Sequence, residues 1–382
     1  MTQLPNILSG VTINRIELWV TNKSAATTNT RNLIALTDLG EAKKFNKKVW
    51  IATPNDVAPS NRSNNAYNFI TQTAPKVRDI TQSNAQLDAM DLVGGEDYEK
   101  LESARLLSSS EYSLNSALGY VSLKSTLQPD QVLAVAFEYT YRGQTYQVGE
   151  FSTDVKDNTQ ALLVKSLKNT ANTPKMGNWK LMMRNVYALG ATAVQRERFS
   201  LDIKYLSDTT GVDISYLPIP RLKDKRLLSL LGLDNLDNNA RRVPNGYFDF
   251  VEGYTIDAAS GRIFFPQVEP FGSFLANVIG DADVARNFAY TELYDSTRTI
   301  AKQVAEHNKF VIKGRYKATK SDEIVLNTSG IPQGSVVVTA GGQILTEGSD
   351  YTVDYSAGVV RILNKSILDA GTPIQCSVES NT

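Results

Sequence analysis

The chain has 382 residues, 42% of them hydrophobic, and carries 40 Lys plus Arg against 40 Asp plus Glu. That is enough apolar material for two or three ordinary cores, and the balanced charge sets up no long-range field to draw in nucleic acid or acidic lipid. A single cysteine, Cys376, and a single histidine, His307, exclude a disulfide framework and argue against zinc, haem, Cys-His and Ser-His chemistry.

In chain order, Val11 to Thr21 carries Ile16, Leu18 and Val20 at period two and reads as a strand; Asn32 to Leu36 reads as a second, expected to pair with it. Residues 52–66, with Pro54 and Pro59, form a loop, and residues 96–107 are expected to be a helix with Leu101, Ala104 and Leu107 on one face. Val132–Tyr141 and Gln144–Glu150, joined by Arg142-Gly143, form a hairpin. Strand patterns follow at Trp179–Tyr187, Phe199–Leu206 and Val212–Leu217, then a short helix at Arg221–Leu231. Asp281 to Asn308 turns helical, with Ile300, Val304 and His307 sharing a face. From Phe310 onward the pattern is all strand, as in an Ig-like sandwich. The expected fold is mainly β with some helix, as tandem sandwich-like units over 1–150, 151–308 and 309–382.

One phrase occurs three times: YSLNSALGYVSL from Tyr112, YTIDAASGRIFF from Tyr254 and YTVDYSAGVVRI from Tyr351. In each, a Tyr is followed two residues later by an aliphatic residue (Leu114, Ile256, Val353), then by Asn115, Asp257 or Asp354, and four residues on by Gly119, Gly261 or Gly358. An Asx side chain accepts a hydrogen bond from a backbone N–H just ahead, and glycine takes the left-handed conformation that returns the chain, so each copy is a hairpin. The three Tyr residues are read as scaffold with hydroxyls bonded to backbone. After the first and third copies comes a similar strand, Val132–Phe137 and Pro373–Val378; after the middle copy none is expected.

Between Leu233 and Gly253 oxygen-bearing side chains crowd together, with Asp234, Asp237, Asn239, Asn245, Asp249 and Glu252 around Gly246. Gly246 to Glu252 reproduces one spacing of a helix-loop-helix calcium site, but that register puts Arg241 and Val243 at early ligand positions, so the match fails. A looser structural calcium loop over Asp237, Asn239, Asn245, Asp249 and Glu252 stands beside the plainer reading, an Asx-rich turn. His307 reads as a satisfied helix-end histidine and Cys376 as a small buried hydrophobe facing with Ile374 and Val378. Lys43, Lys44, Lys47 and Lys48, interleaved with Phe45 and Trp50, read as a solvated surface. No acid pair or glycine-rich phosphate loop is singled out, so no catalytic or cofactor-binding residue is assigned.

No apolar run is long enough for a membrane-spanning helix, and Met1 to Pro5 lacks the basic-then-apolar opening of a signal sequence. A strand pattern begins close to Met1 and another runs nearly to Thr382, so an excised segment of a longer protein is expected. The phrases TINRIELWVTN, DYEKLESARLLSSSEYSLNSALGYVSL, GNWKLMMRNVYALG, RFSLDIKYLSDTTGVDISYLP, PNGYFDFVEGYTIDAASGRIFFPQVEPFGSFL and QGSVVVTAGGQILTEGSDYTVDYSAGVVRILNKSILDAGT together resemble the SprA family, also called Sov, of Bacteroidetes outer-membrane proteins, from about Ile13 to Ser380. The resemblance implies part of the very large β-barrel translocon of the type IX secretion system, which exports folded cargo and serves gliding motility. Its partners would be the rest of the barrel, other outer-membrane subunits and secreted cargo, with no nucleic acid. The segment lacks the aromatic-girdled alternating strands of a membrane barrel, so it is expected to be a barrel-attached domain on the cell-surface side. The alternative reading is a surface adhesin or carbohydrate-binding sandwich with Trp50 or Tyr247 at a groove. A carboxylate hydrolase would need two acids converging in a cleft, about 5–10 Å apart.

Overall fold

The computed structural model describes residues 9–42, 58–317, 319–320, 322–326, 328–370 and 372–378. Among them the chain is mainly β with short helices, and it divides into two units with the boundary between Met182 and Met183.

The first unit contains β1 (Val11–Val20), β2 (Thr30–Leu36), α1 (Ala66–Thr73), α2 (Ser83–Asp88), β3 (Tyr98–Leu106), β4 (Tyr112–Asn115), β5 (Tyr120–Leu123), β6 (Leu133–Tyr141), β7 (Gln144–Val148) and β8 (Leu162–Lys168). Pairing runs β1-β3-β2-β8-β6 and returns from β6 to β1, closing a five-stranded ring, with β7 continuing from β6. Trp19, Leu33, Ala35, Leu101, Ala104, Ala134, Ala136 and Leu162 fill the ring. One outer face, with Ile34, Leu36 and Leu163, buries Ile70, Val77 and Leu87 from the α1–α2 segment. The other, with Leu18, Val20, Leu133 and Val135, is packed by Tyr112, Val121 and Leu123 of the β4–β5 hairpin. Burying one such aliphatic side chain is worth about 1.5–3 kcal/mol.

Three expectations for this region are corrected. Residues 96–107 form strand β3, not a helix. The spacing of three between Leu101 and Ala104, both inside the ring, comes from an irregularity at Ser103, which has φ of 48° and donates its N–H to Asn32 Oδ1 at 2.8 Å. Such a bulge puts residues an odd number apart on one face. β1 and β2 do not pair, because β3 lies between them. The unit also extends past residue 150, because β8 completes the ring through β2 and β6. The Arg142-Gly143 hairpin is present, with both residues at positive φ, 49° and 77°. Of the 52–66 loop, residues 58–65 are described, and α1 begins at Ala66.

The second unit contains β9 (Val186–Ala188), β10 (Ala191–Thr192), β11 (Ser200–Leu206), β12 (Asp213–Ile214), α3 (Leu227–Leu230), β13 (Ile256–Asp257), β14 (Arg262–Phe264), α4 (Ser273–Ile279), α5 (Ala282–Phe288), α6 (Glu292–Asp295), α7 (Arg298–Gln303) and β15 (Phe310–Arg315). It continues with β16 (Thr319–Lys320), β17 (Glu323–Val325), β18 (Val336–Ala340), β19 (Gln343–Ile344), β20 (Tyr351–Asp354), β21 (Val359–Ile362), α8 (Lys365–Asp369) and β22 (Ile374–Val378).

The three hairpins are present, as β4–β5, β13–β14 and β20–β21. Gly119, Gly261 and Gly358 have φ of 72°, 64° and 68°. Asn115 Oδ1 accepts from Leu118 N–H at 2.9 Å, Asp257 Oδ1 from Ser260 N–H at 3.2 Å, and Asp354 Oδ1 from Ser356 and Ala357 N–H at 3.0 and 2.9 Å. The similarity extends well beyond the turn. β9 lies on β14 as β17 lies on β21, in the same register, with Ala188 opposite Arg262 and Val325 opposite Val359. Leu189 N–H bonds to the Gly261 carbonyl and Leu326 N–H to the Gly358 carbonyl, both at 2.8 Å. Val194 N–H reaches the Ala258 carbonyl and Ile331 N–H the Tyr355 carbonyl; in the first unit Ile13 N–H reaches the Ser116 carbonyl at the matching position. The companion sheets also match, as β12-β11-β15 and β19-β18-β22. The second unit therefore contains two copies of one six-stranded, two-sheet sandwich, with β10 and β16 paired in a separate two-stranded sheet. The first unit repeats its hairpin against the equivalent β3-β1-β6 strands. We number these repeats one to three.

In repeat three, Ile331, Val336, Val338, Tyr351, Val360 and Ile362 from both sheets share one core with three strands a side, and the Phe310 strand expected to open an Ig-like sandwich pairs with β11 of repeat two instead. Repeat two carries two long additions, one with α3 between β12 and β13, and one with α4 to α7 between β14 and β15. The strand thought missing after the middle hairpin is β15, delayed by those helices. Its pairing with β11 means that a boundary at 308/309 would cut a sheet, so 151–308 and 309–382 do not describe this unit. Asp281–Asn308 is three helices rather than one, because the backbone turns extended at Ala289 and again at Ser296, after which the Thr297 side chain caps α7. Ile300 is 52% exposed and His307 lies beyond α7, so the shared face does not form. The helix at Arg221–Leu231 shortens to α3 and the strand at Val212–Leu217 to β12. Gly177–Leu181 is a 3-10 turn, which leaves only β9 of the strand expected there.

Candidate binding groove

The first addition to repeat two crosses the outward face of the β11–β15 pair. Leu201, Ile203 and Tyr205 point into the core, so Ser200, Asp202 and Lys204 point outward, opposite Arg315, Lys313 and Val311. Over this ladder the addition brings Arg226 and the segment Asn245–Phe248, forming a groove of about 560 Å³. Arg226 fastens the rim: its guanidinium lies 3.1 Å from Asp202 and donates to the Gly246 carbonyl at 2.7 Å. Lys204 lies 3.3 Å from Asp202, and Lys313 pairs with Asp213. Arg315 is exposed and has no hydrogen-bond or ion-pair partner among the described residues. Under the rim, Phe199 packs on Phe248 and Phe250, with ring centroids 5.3 and 5.1 Å away. Tyr247 faces outward and is 72% exposed.

The oxygen-rich side chains of the calcium reading build this rim by holding backbone. Asn245 Oδ1 accepts from Tyr247 N–H at 3.0 Å, and Asp234 Oδ2 accepts from Gly246 N–H at 3.2 Å and from Ser229 Oγ at 2.7 Å. Asp237 accepts from the N–H groups of Asn239 and Arg241, both at 2.9 Å, and pairs with the Arg241 guanidinium. Asp249 accepts from Asn235 and Leu236 N–H at 2.6 and 3.0 Å; burial pushes its carboxyl up to about 6 while those two bonds oppose the shift. Glu252 accepts from Ala258 N–H at 3.1 Å, and Asn239 contributes its N–H to the Asp237 turn. Each carboxylate is therefore directed at its own stretch of chain, the Asx-turn chemistry of loops. Among the described residues no group of three or more His, Cys, Asp or Glu is arranged to hold a metal ion.

Among the described residues the hydroxyl-to-backbone bond expected of the three repeated Tyr residues is found at Tyr351 and not at Tyr112 or Tyr254. Tyr351 is buried with its hydroxyl 3.4 Å from the Val336 carbonyl, and Tyr112 packs under the first hairpin. Tyr254 is half-buried just before β13. His307 is satisfied on both nitrogens, with Nδ1 2.9 Å from Glu292 and Nε2 2.7 Å from the Arg286 carbonyl. Cys376 packs on the core of repeat three, and burial pushes its thiol up. Lys43, Lys44, Phe45, Lys47, Lys48 and Trp50 lie outside the described residues.

A second cleft, in the first unit, is lined by Ile16, Leu114, Val121 and Phe137, with Lys165 also on its wall. Lys165 donates to Glu41 Oε1 at 2.8 Å and to the Thr37 carbonyl; burial pulls its ammonium down from the ordinary lysine value against the pull of Glu41. It is fully engaged in holding chain.

Tyr247 was legible in the sequence as an exposed-aromatic candidate. Asp202, Arg226, Lys313 and Arg315 were not, because they meet only through the pairing of β11 with β15 and the passage of a distant loop. Among the described residues no helix is long and apolar enough to cross a membrane. No family model and no curated protein matches the chain.

Proposed function

We propose that this chain is a non-enzymatic structural and interaction region of a SprA-like type IX secretion translocon, supporting protein export to the cell surface and gliding motility. It sits at the outer membrane on the cell-surface side and contacts the remainder of the barrel, partner outer-membrane subunits and passing cargo. The observation that carries the reading is the threefold reuse of one hairpin as scaffold. Its Asx and Gly residues are consumed by turn geometry and its carboxylates by backbone N–H groups. A repeated sandwich of this kind offers wide β surfaces for contact. The resemblance of its long phrases to the SprA family is what points to this particular machine.

The test is site-specific photo-cross-linking in the intact outer membrane, from exposed Ser113 in the first unit and Thr352 in the second. Adducts to a very large barrel, to partner subunits or to exported cargo are the expected result. Adducts confined to periplasmic proteins would reject the surface placement, and adducts to none of these would reject the translocon assignment.

A further inference from the structure

The outward face of the same two-stranded ladder has a different fate in each repeat. In repeat one Glu17 and Trp19, opposite Ala136 and Ala134, turn into the closed ring. In repeat three the face carries Val337 and Thr339 opposite Ser377 and Gln375, with no charge. Only in repeat two is it open and charged, roofed on one side by the added loop. What all three repeats share is scaffold; the charged, aromatic groove belongs to repeat two alone.

Its chemistry is selective. Lys204, Arg226, Lys313 and Arg315 outnumber Asp202 and Asp213, four cations to two carboxylates, in a chain whose net charge is zero. Both acids are already paired, which leaves the Arg315 guanidinium without a partner among the described residues. A guanidinium offers a planar fork that matches a carboxylate with two parallel hydrogen bonds. Tyr247, held out by the Asn245 turn, presents an exposed ring and a hydroxyl with no partner among the described residues. An aromatic face is a flat, weakly hydrated platform for the C–H-rich face of a pyranose, with its hydroxyl available to the ring edge. The volume suits a ligand of a few sugar rings, since binding clefts run about 300–1,000 Å³.

We propose that this groove binds an acidic saccharide, with a pyranose stacked on Tyr247 and its carboxylate carried by Arg315. The site stands independently of the translocon reading, since a barrel-attached domain and a free-standing one would bind the sugar alike. Cross-linking and sugar binding can therefore fail separately.

The experiment is calorimetric titration of the whole chain with an oligogalacturonate, a neutral malto-oligosaccharide and polyglutamate, repeated with Tyr247→Ala and Arg315→Ala. Saturable binding of the oligogalacturonate, weakened about tenfold by each substitution, is expected, a factor that corresponds to about 1.4 kcal/mol. Both side chains are exposed, so the variants should melt with the parent, and a lowered melting point is controlled by Tyr247→Phe, which keeps the platform and should retain binding. Binding indifferent to both substitutions, equal binding of polyglutamate or of the neutral sugar, or no binding of the oligogalacturonate would each overturn the proposal.

Discussion

Repeats two and three share one sandwich but not one style of exposure. Repeat three joins its strands by short links, with Ala340 opposite Gln343 across a tight turn and only α8 between β21 and β22. Repeat two interrupts the same circuit twice, and the first addition carries Tyr247, the most exposed aromatic ring among the described residues, over the strand face that holds Arg315. The lesson is that a duplicated scaffold keeps its invariant residues for turns and cores, while specialisation enters where two consecutive strands are allowed to drift apart in sequence. Loops tolerate such lengthening at small entropic cost, and they are where binding residues gather.

The sharpest way to break the comparison is at the three turn glycines. A Cβ on Gly261 would lie 1.7 Å from the Ala191 carbonyl oxygen, and on Gly358 1.8 Å from that of Thr328, whereas Gly119 has no described atom within 4 Å. Gly261→Ala and Gly358→Ala should each cost roughly 3–4 kcal/mol, left-handed strain plus backbone displacement, and Gly119→Ala only about 1–2 kcal/mol from strain. Chemical denaturation reads the difference; equal losses at all three would mean that the neighbouring strand gives way freely.

A smaller effect separates the repeats by pH. Asp249 of repeat two has its carboxyl raised to about 6 by burial, so the folded state holds that proton more tightly than the unfolded chain. Its stabilising contribution is present below about 3.8, the ordinary Asp value, and is lost as pH rises through about 6. Asp350 of repeat three is held below 3.8 by Thr346 N–H and the Asn364 amide, so its contribution is present above 3.8 and is lost as pH falls through the folded value. Urea midpoints across this range should flatten on the higher limb with Asp249→Asn and on the acid limb with Asp350→Asn. A single substitution that flattened both limbs would refute the assignment.

The smallest effect is expected from calcium. Asp237, Asp249 and Glu252 each spend their oxygens on backbone N–H groups, so millimolar calcium should leave the melting curve where it was. A calcium-dependent rise would show that the rim can reorganise around an ion.

The turns were readable because their chemistry is local: an Asx oxygen, a left-handed glycine and aliphatic residues two apart state a hairpin within a dozen positions. Period was a weaker guide. The bulge at Ser103 gave β3 a three-residue spacing that imitates a helix, and continuous helical propensity after Asp281 concealed the cap at Thr297. The groove lay further out of reach. Asp202 and Lys313 become neighbours only when β15 returns to β11 after five helices, a pairing that no local pattern announces. Of the two readings of the oxygen-rich loop, the Asx-rich turn is the one the structure shows: Asn245 and Asp234 accept from backbone N–H groups through the same lone pairs that would hold an ion.

Loop length also orders the repeats by how hard each is to close. The strand beside β18 arrives after two intervening residues, Gly341 and Gly342, whereas Val20 of β1 meets Arg105 of β3 only after β2, α1 and α2 have been threaded between them. Closure entropy rises by about 0.6 kcal/mol for each doubling of an unstructured loop, so this ladder starts several doublings behind. Ease of closure runs from the C-terminus back toward the N-terminus, opposite to the direction in which a ribosome delivers the chain, and the earliest-made repeat is the one that must wait longest for its partner strand.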